Sequence, residues 1–287
     1  MRMDCLQVFT KNQRQWNVKP LLEEDIELWK LQLQQRGWQD TNRIVSHNSY
    51  LINLASPDTP MHKKSVHLQR EELVRCEVLN IPLLVTHPGA RLGTPRKRGE
   101  PNNLCDSPTS EEMDGLKRIV DALDQIHFDL SGYTTITCLE TTVGSGTNLG
   151  YDFHHLAWIK NHVQAPERVA YCFDTCHVTA AGYDMTTKAK ANEVLEKFDA
   201  SAGLDQIKVL HFNDSVGGIG SRLDRHAHIG NGCCGLSCFM AILEHPCFDD
   251  IPKILETSKE ENSNGTPMDK INIAKLRRMA NAAKKSR

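Results

Sequence analysis

The segment CFDTCH, residues 172 to 177, places two cysteines, an aspartate and a histidine within six positions. Three chemistries suit these residue types: a redox-active cysteine pair, a zinc site built from thiolates, or half of a metal site that uses oxygen and nitrogen ligands. The two cysteines follow the pattern C-x3-C, whereas thioredoxin-type redox pairs need C-x-x-C spacing. The redox interpretation is therefore disfavoured, and the rest of the chain must decide between the two metal interpretations.

Six of the predicted β-strands end in a histidine or a carboxylate. Side chains alternate between the two faces of a strand, and in all six strands the residue two positions earlier is apolar or cysteine. In a parallel α/β barrel this face lines the interior, and its last residue lies at the carboxyl-end rim. We therefore expect the six polar side chains to meet at one rim. They are His47, His87, Glu140, Asp174, His211 and Glu256.

Three further candidates lie just beyond the strands. His177 follows Asp174 by three positions, and Asp224 and His226 lie in GSRLDRHAHIGNG, whose glycines allow the loop to fold over the mouth. The five histidines and four carboxylates form a set that is too acidic to be buried without added positive charge. Neutral imidazoles and carboxylates are ligands of Zn²⁺ and similar ions, and nine of them, with one bridging, suit three ions.

This predicted site answers the question that CFDTCH raises. Asp174 and His177 are predicted to be ligands, Cys172 to point inward below the rim, and Cys176 to contribute packing. Three divalent ions and four carboxylates leave a net charge of roughly +2, which attracts an anion such as phosphate. Divalent ions also supply hydroxide at neutral pH and stabilise a departing oxygen, so phosphodiester hydrolysis is the predicted use of the site.

The order of the predicted elements would bring these residues together. Short apolar runs alternate with helical patterns, which predicts parallel βα units and a TIM (β/α)8-type barrel. One helical pattern covers residues 109–127 and opens with a capping box formed by Thr109 and Glu112. The sequence therefore predicts a scaffold whose strand ends converge.

Length and composition indicate one globular domain. The 287 residues suffice for one barrel. We expect a single α/β-barrel domain over residues 1–287, with an inserted loop at 91–108 and a basic helix and tail at 268–287. The net charge of −2 excludes a generally basic nucleic-acid coat but allows a local cationic site. Ten cysteines without a recognisable signal sequence or apolar membrane span predict free thiols, no membrane association and a cytoplasmic location.

Several motifs carry a resemblance to a known family. They are CFDTCHVTAAGYD, HFNDSVGGIGSRLDRHAHIG, LETTVGSGTNLG, HNSYLINLASPD, THPGA and VFTKNQRQW. From about residue 5 to residue 258 the chain resembles the endonuclease IV (deoxyribonuclease IV) family of apurinic/apyrimidinic endonucleases. The resemblance implies an α/β barrel with a trinuclear zinc cluster. It also implies incision of double-stranded DNA 5′ to an abasic site, leaving a 3′-hydroxyl, in base excision repair. A monomer is expected, associated with the nucleoid if the source is bacterial.

The resemblance gives each of the nine residues a place in the zinc cluster. By the family pattern, one zinc is held by His47, His87 and Glu140. Glu140 bridges to a second zinc, which is completed by Asp174, His211 and Glu256. The third is held by His177, Asp224 and His226, and Mn²⁺ is an alternative occupant of part of the cluster. The predicted catalytic residues are the carboxylates Glu140, Asp174 and Glu256.

The resemblance also suggests where DNA is contacted. The family's DNA-penetrating residues match Arg14 in KNQRQW, and Tyr50 and Leu51 in NSYLIN. A wedge at Tyr50 suits a flipped-out abasic nucleotide, because a nucleotide without its base loses little stacking when it is extruded. Without the resemblance, core packing of Tyr50 is an equally good interpretation.

Two features depart from the family pattern. Family members begin with an additional strand and helix before the strand that resembles CLQVFT, so the barrel should be open between that strand and PKILET. An exposed parallel edge is unfavourable, and we expect either that the true chain is longer or that this form is destabilised. The loop at 91–108 is also longer than expected. The loop is either solvated and without a role in binding, or it contacts DNA phosphates through its basic residues. These residues are Arg91, Arg96, Lys97 and Arg98.

Two other functions compete with the nuclease. A sugar isomerase or epimerase of the related xylose isomerase-like barrels also places Glu, Asp, His and Glu at strand ends around one or two divalent ions. Such an enzyme does not need His47, His87, His177 or the Asp224–His226 pair, so the sequence favours the nuclease. In a third, non-catalytic interpretation, the chain only binds damaged DNA or does not fold alone.

Overall fold

The computed structural model describes residues 3–97, 99–104 and 107–286 of the chain. Its strands are β1 (Leu6–Val8), β2 (Ile44–His47), β3 (Leu83–Thr86), β4 (Ile136–Glu140), β5 (Val169–Asp174), β6 (Ile207–His211), β7 (Asp214–Ser215), β8 (His226–Ala227) and β9 (Lys253–Ile254). Within the described ranges, seven of them form one parallel sheet in the order β1-β2-β3-β4-β5-β6-β9. The short strands β7 and β8 form an antiparallel pair of their own.

The helices follow the strands in the alternation that the sequence predicts. They are α1 (Glu23–Arg36), α2 (Thr59–Val78), α3 (Ser110–Asp129), α4 (Phe153–His162), α5 (Thr175–Ala181), α6 (Lys188–Ala202), α7 (Gly235–Glu244) and α8 (Met268–Ser286). At the start of α3, Thr109 Oγ1 accepts from the Glu112 amide and Glu112 Oε2 accepts from the Thr109 amide, so the predicted capping box is present. None of the described helices combines the length and apolarity that a membrane span requires.

The inward-facing residues of the strands form a cluster of their own. The six residues that precede the polar strand ends by two positions are all buried in it, which confirms the predicted alternation. They are Val45, Val85, Cys138, Cys172, Val209 and Ile254. The opposite faces of the strands, at Leu139, Tyr171 and Phe173, pack with the helices in a larger cluster. Each strand therefore has one face in the barrel interior, and that face leads to the rim.

The register of the sheet places the strand ends side by side. Glu140 of β4 pairs with Cys172 of β5, and Asp174 of β5 pairs with His211 of β6. His211 in turn pairs with Ile254 of β9. Because neighbouring strands lie about 4.8 Å apart, side chains at these positions can contact one another across the rim.

The sheet is open between its edge strands β1 and β9, as the sequence predicts, and we call this gap the seam. In the described part of the chain, no backbone hydrogen bond joins β1 to β9. Two side chains cross the seam instead: Cys5 Sγ donates to the carbonyl of Lys253 (3.5 Å), and Gln7 Nε2 donates to Glu256 Oε1 (2.7 Å). A cavity of about 860 Å³ lies along it, between these strands and α8.

Two arginines of the loop at 91–108, Arg91 and Arg96, bind the protein itself. Arg96 lies over the ring of Tyr151, with its guanidinium carbon 4.2 Å from the ring centroid, donates to the Tyr151 hydroxyl (2.6 Å) and forms an ion pair with Glu112. Arg91 forms an ion pair with Glu111. These contacts tie Arg91 and Arg96 to the barrel, so neither predicted role, solvated or phosphate-binding, describes them. Arg98 lies outside the described residues.

His127, in the last turn of α3, is buried, and neither of its ring nitrogens has a hydrogen-bond partner among the described residues. Burial, and secondarily the nearby Arg168, lower its pKa from 6.5 to about 4. Between pH 6.5 and 4 the histidine is protonated in the unfolded chain but stays neutral in the folded protein. The free energy of unfolding therefore falls as the pH is lowered through this range, and the contribution of His127 is fully present only above pH 6.5. We expect His127→Leu to reduce the slope of unfolding free energy against pH between 4 and 6.5 by about 1.4 kcal/mol per pH unit.

Urea titrations of both proteins at several pH values measure this slope difference. Phe128→Leu, at the exposed neighbour of His127, serves as control because it removes no titratable group, and it should leave the slope as it is in the wild type. Equal slopes for wild type and His127→Leu would show that His127 titrates normally in the folded state.

Candidate metal centre

Glu140, at the end of β4, is fully buried, and both of its carboxylate oxygens face histidines. Oε2 lies 3.3 Å from His47 Nε2 and 3.0 Å from His87 Nε2. Oε1 lies 2.8 Å from His211 Nδ1 and 3.3 Å from His177 Nδ1. A carboxylate whose two oxygens face different imidazoles has the arrangement of a bridging ligand. His47, His87 and Glu140 form the first of three ligand groups at the rim.

The second ligand group combines Glu140 with Asp174, His211 and Glu256. His211 Nδ1 lies 3.1 Å from Glu256 Oε2 and 3.7 Å from Asp174 Oδ2. These residues come from strands β4, β5 and β6 and from the segment directly after β9. The parallel register therefore places four potential ligand atoms around one point.

The third ligand group contains His177 and His226 together with Asp174. Asp224 Oδ1 lies 3.3 Å from His177 Nε2 and 3.6 Å from His226 Nε2, at the more exposed edge of the site. Asp174 Oδ2 lies 3.8 Å from His226 Nε2. The structure thus adds Asp174 to the trio that the resemblance assigned. Asp174 links the second and third groups, as Glu140 links the first and second.

Local structure explains how His177 reaches the centre from outside the strands. Asp174 is the N-cap of α5, and its Oδ1 accepts from the amide of His177 (2.8 Å). This bond satisfies one of the free amides that every helix start exposes. The same residue therefore begins the helix and turns His177 towards the rim.

Four of the histidines have one ring nitrogen fixed by an oxygen that can only accept a hydrogen bond. The pairs are His47 Nδ1 with Asn48 O (2.9 Å), His177 Nδ1 with Thr141 O (2.8 Å), His211 Nε2 with Gln7 Oε1 (2.8 Å) and His226 Nδ1 with Glu256 O (3.3 Å). Each such nitrogen carries a proton, so the other nitrogen, which faces the centre, is the one that would offer its lone pair to a bound metal ion. His226 Nε2 is buried there and has no hydrogen-bond partner in the part of the chain that the structure describes. This donor set fits divalent metal ions.

The electrostatics of the centre favour positive charge. Burial raises the pKa of Glu140, but His211 and His87 outweigh it and hold that pKa well below its usual value. Burial lowers the pKa of His177, but Asp174, Asp224 and Glu140 raise it well above its usual value. In the described ranges, every ion-pair partner of the four carboxylates is a histidine. Buried carboxylates without a lysine or arginine partner leave the centre in need of cations.

The two cysteines of CFDTCH are free thiols. Burial raises the pKa of each to about 12, which disfavours the thiolate form. Cys172 faces the interior next to Glu140 and His211, below the rim as predicted. Cys176 donates to the carbonyl of Arg225 (3.7 Å).

Three comparisons show what the chain is similar to. The family model described as the xylose isomerase-like TIM barrel matches residues 3–280. The probable endonuclease 4 of Geotalea daltonii is 42% identical over 274 residues, which are 96% of this chain and 88% of the relative. The crystal structure of endonuclease IV from Thermus thermophilus superposes with a TM-score of 0.77 at 28% identity, covering 98% of this chain and 90% of that one.

The chain belongs to the endonuclease IV family. A D-tagatose 3-epimerase-like protein also superposes, with a TM-score of 0.68 at 18% identity, covering 98% of this chain and 91% of that chain. At that identity the likeness shows the shared fold alone.

Three residues support the centre of this endonuclease IV family member and were not anticipated from the sequence. Gln7 contacts His211 and Glu256. Asn213 Nδ2 donates to Asp174 Oδ2 (2.7 Å), and its Oδ1 accepts from the amide of Glu256 (2.8 Å). The sequence pattern could have indicated Asn213, because it lies two positions after His211 and so would face the same side of the chain if the strand continued. No comparable signal marks Asp214, whose role depends on loop conformation.

Asp214 fixes the loop that carries the outer ligands. Its buried carboxylate accepts hydrogen bonds of 2.9–3.1 Å from four backbone amides, those of Ser215, Gly230, Gly232 and Cys234. A Cβ atom at Gly232 would lie 2.4 Å from the carbonyl oxygen of Ser215, so the close approach requires glycine there. The β7–β8 pair inside this loop places His226 at the rim.

The three predicted DNA contacts lie at the surface around the mouth. Tyr50 is 56% exposed, and its ring lies 5.5 Å from that of His47 and 5.8 Å from that of Phe9. The core-packing interpretation of Tyr50 is therefore wrong. Leu51 is half-buried beside it, and Arg14 is exposed.

Proposed function

We propose that the chain is a metal-dependent apurinic/apyrimidinic endonuclease that hydrolyses the DNA phosphodiester 5′ to an abasic site and leaves a 3′-hydroxyl. The main support for this proposal is that the three ligand groups share residues: Glu140 belongs to the first and second groups, and Asp174 belongs to the second and third. An isomerase site would need only the second group. Membership of the endonuclease IV family supports the nuclease, and base excision repair is the process it would serve.

The proposed cofactor is a cluster of three zinc ions, with Mn²⁺ as an alternative in part. The first, second and third ligand groups would hold one ion each, and Asp224 would complete the third. When bound, such ions act as Lewis acids on phosphate oxygens and supply hydroxide at neutral pH. The donor set of imidazole and carboxylate, without thiolate, suits Zn²⁺ at a hydrolytic site.

The catalytic carboxylates differ in exposure, and this suggests their roles. Glu140 and Asp174 are fully buried, so they fix the positions of the histidines around them. The side chain of Glu256 is 19% exposed. Of the three, Glu256 is therefore the carboxylate that an attacking water could contact. Its Oε1 atom is held by Gln7.

The proposed substrate is double-stranded DNA with an abasic site, bound by a monomer. Tyr50 and Leu51 would enter the duplex beside the lesion, and Arg14 would contact it from the β1–α1 loop. We expect Tyr50→Ala to weaken binding of an abasic duplex about 5- to 150-fold, because base–aromatic stacking contributes about 1–3 kcal/mol. Fluorescence anisotropy measures this loss. Tyr50→Phe, the matched control, should bind as wild type, and an unchanged affinity of Tyr50→Ala would exclude the wedge.

Metal content and nicking, measured on one preparation, test the proposal. We expect about three zinc ions per chain, incision of a duplex with a single abasic analogue, and loss of incision on chelation that zinc restores. One zinc ion or none, or no incision by folded, zinc-loaded protein, would refute the proposal. Turnover of a ketose without incision would instead assign the sugar isomerase or epimerase.

A further inference from the structure

Gln7 lies on the edge strand β1, where the barrel is open. It pairs with Val45 of β2, a member of the interior cluster, so its side chain lies on the interior face. From there it crosses the seam and meets residues of two other strands. This position gives one side chain of β1 access to the metal centre, although β1 contributes none of the nine candidate ligands.

The amide of Gln7 makes two hydrogen bonds of opposite direction. Its Oε1 accepts from Nε2 of His211 (2.8 Å), and its Nε2 donates to Glu256 Oε1 (2.7 Å). Since an amide oxygen only accepts, the proton of His211 is fixed on Nε2. Nδ1, which faces Glu140, Asp174 and Glu256, is then the nitrogen that is left to bind a metal ion.

The second hydrogen bond has a matching effect on Glu256. With Oε1 engaged by Gln7, the other oxygen, Oε2, lies 3.1 Å from His211 Nδ1 and faces the second ligand group. One amide therefore selects the ligating atom of both an imidazole and a carboxylate. Only an amide of this length both accepts and donates here. Glutamate could accept but not donate, and methionine could do neither.

We propose that Gln7 is a positioning residue of the metal centre, which sets the tautomer of His211 and the orientation of Glu256 from across the seam. This inference rests on the proposed metal centre but not on its substrate. Outer hydrogen-bond partners of metal ligands typically contribute 10- to 100-fold to metal affinity.

A purely structural role is the competing explanation, because Gln7 also ties β1 to the segment after β9. Cys5 offers a matched control. It lies just before β1 and crosses the same seam to the carbonyl of Lys253, and this hydrogen bond involves none of the nine candidate ligands. Cys5→Ala therefore removes a tether alone, whereas Gln7→Met removes a tether and both orienting bonds.

Zinc affinity by chelator competition and ¹⁵N spectra of His211 in the full chain distinguish these explanations. We expect Gln7→Met to lower zinc affinity about 10- to 100-fold and to remove the fixed Nε2–H tautomer. Gln7→Glu should retain that tautomer but still weaken zinc binding, because its carboxylate repels Glu256. Cys5→Ala should leave both readouts unchanged.

Wild-type affinity and tautomer in both Gln7 variants would overturn the inference, and so would an equal loss of affinity in Cys5→Ala. If Gln7→Met does not fold, Gln7→Glu decides the matter by its affinity and spectrum. The two proposals can fail separately. If the folded, zinc-loaded wild type does not incise DNA but Gln7→Glu still binds zinc more weakly than wild type, the proposed function is refuted and this inference stands.

Discussion

Replacing Glu140 by glutamine should reduce the rate of incision by at least about 10³-fold. Removal of a single preorganised electrostatic group from a catalytic site typically lowers the rate by up to about this factor. The side chain keeps its shape but loses its charge and places an NH2 group against histidines that already face inward. Both the first and second ligand groups lose a shared ligand, because Glu140 contacts His47 and His87 with one oxygen and His211 with the other. Zinc per chain should fall together with the rate.

Glu112→Gln is the matched control, since Glu112 is also buried but lies in the capping box of α3. Glutamine retains that cap, so incision and zinc content should remain at wild-type levels. Single-turnover incision, zinc analysis and circular dichroism of both variants make the comparison. A Glu140→Gln protein that incised at the wild-type rate would remove Glu140 from the mechanism.

Substitution of Asp174 should separate chemistry from folding. Asp174→Asn and Asp174→Ala both remove the charge that joins the second and third ligand groups, so we expect both to lose incision about 10³-fold. Their stabilities should differ. Asparagine still offers an oxygen to the amide of His177 at the start of α5, whereas alanine does not, and loss of such a cap costs about 1 kcal/mol.

Urea unfolding in the presence of a chelator tests the stability difference without a contribution from bound metal. The Asn variant should be the more stable of the two by about 1 kcal/mol. Equal stabilities would mean that the Asp174 cap adds nothing to the fold. Thr187→Ala and Thr187→Asn, at the N-cap of α6, give the same comparison at a helix remote from the centre.

Much of this centre could be predicted because strand geometry is regular. The period-two alternation put His47, His87, Glu140, Asp174 and His211 on the interior face, and the parallel register then brought their ends together. Neither step depends on detailed packing. The open edge of the barrel was also predictable, from the number of strand-like runs and the family pattern.

What could not be predicted depends on contacts between residues far apart in the chain. Gln7 meets His211 across 204 positions, and β1 is only three residues long, so no periodic pattern marks it. The double role of Asp174 follows from a cap geometry that composition does not encode. Arg96 was assigned to solvent or phosphate because a basic loop looks the same whether or not a ring and a carboxylate lie beneath it.

The seam gives the molecule a region that can detach locally. Among the described residues, β1 has a backbone partner on one side only, so its amides should exchange with deuterium through an opening that costs less free energy than global unfolding. Such an opening would carry Gln7 away from two candidate ligands while β3 to β6 stay folded. Loss of metal from this protein would then begin with the fraying of an edge strand, at denaturant concentrations where the rest of the barrel is intact.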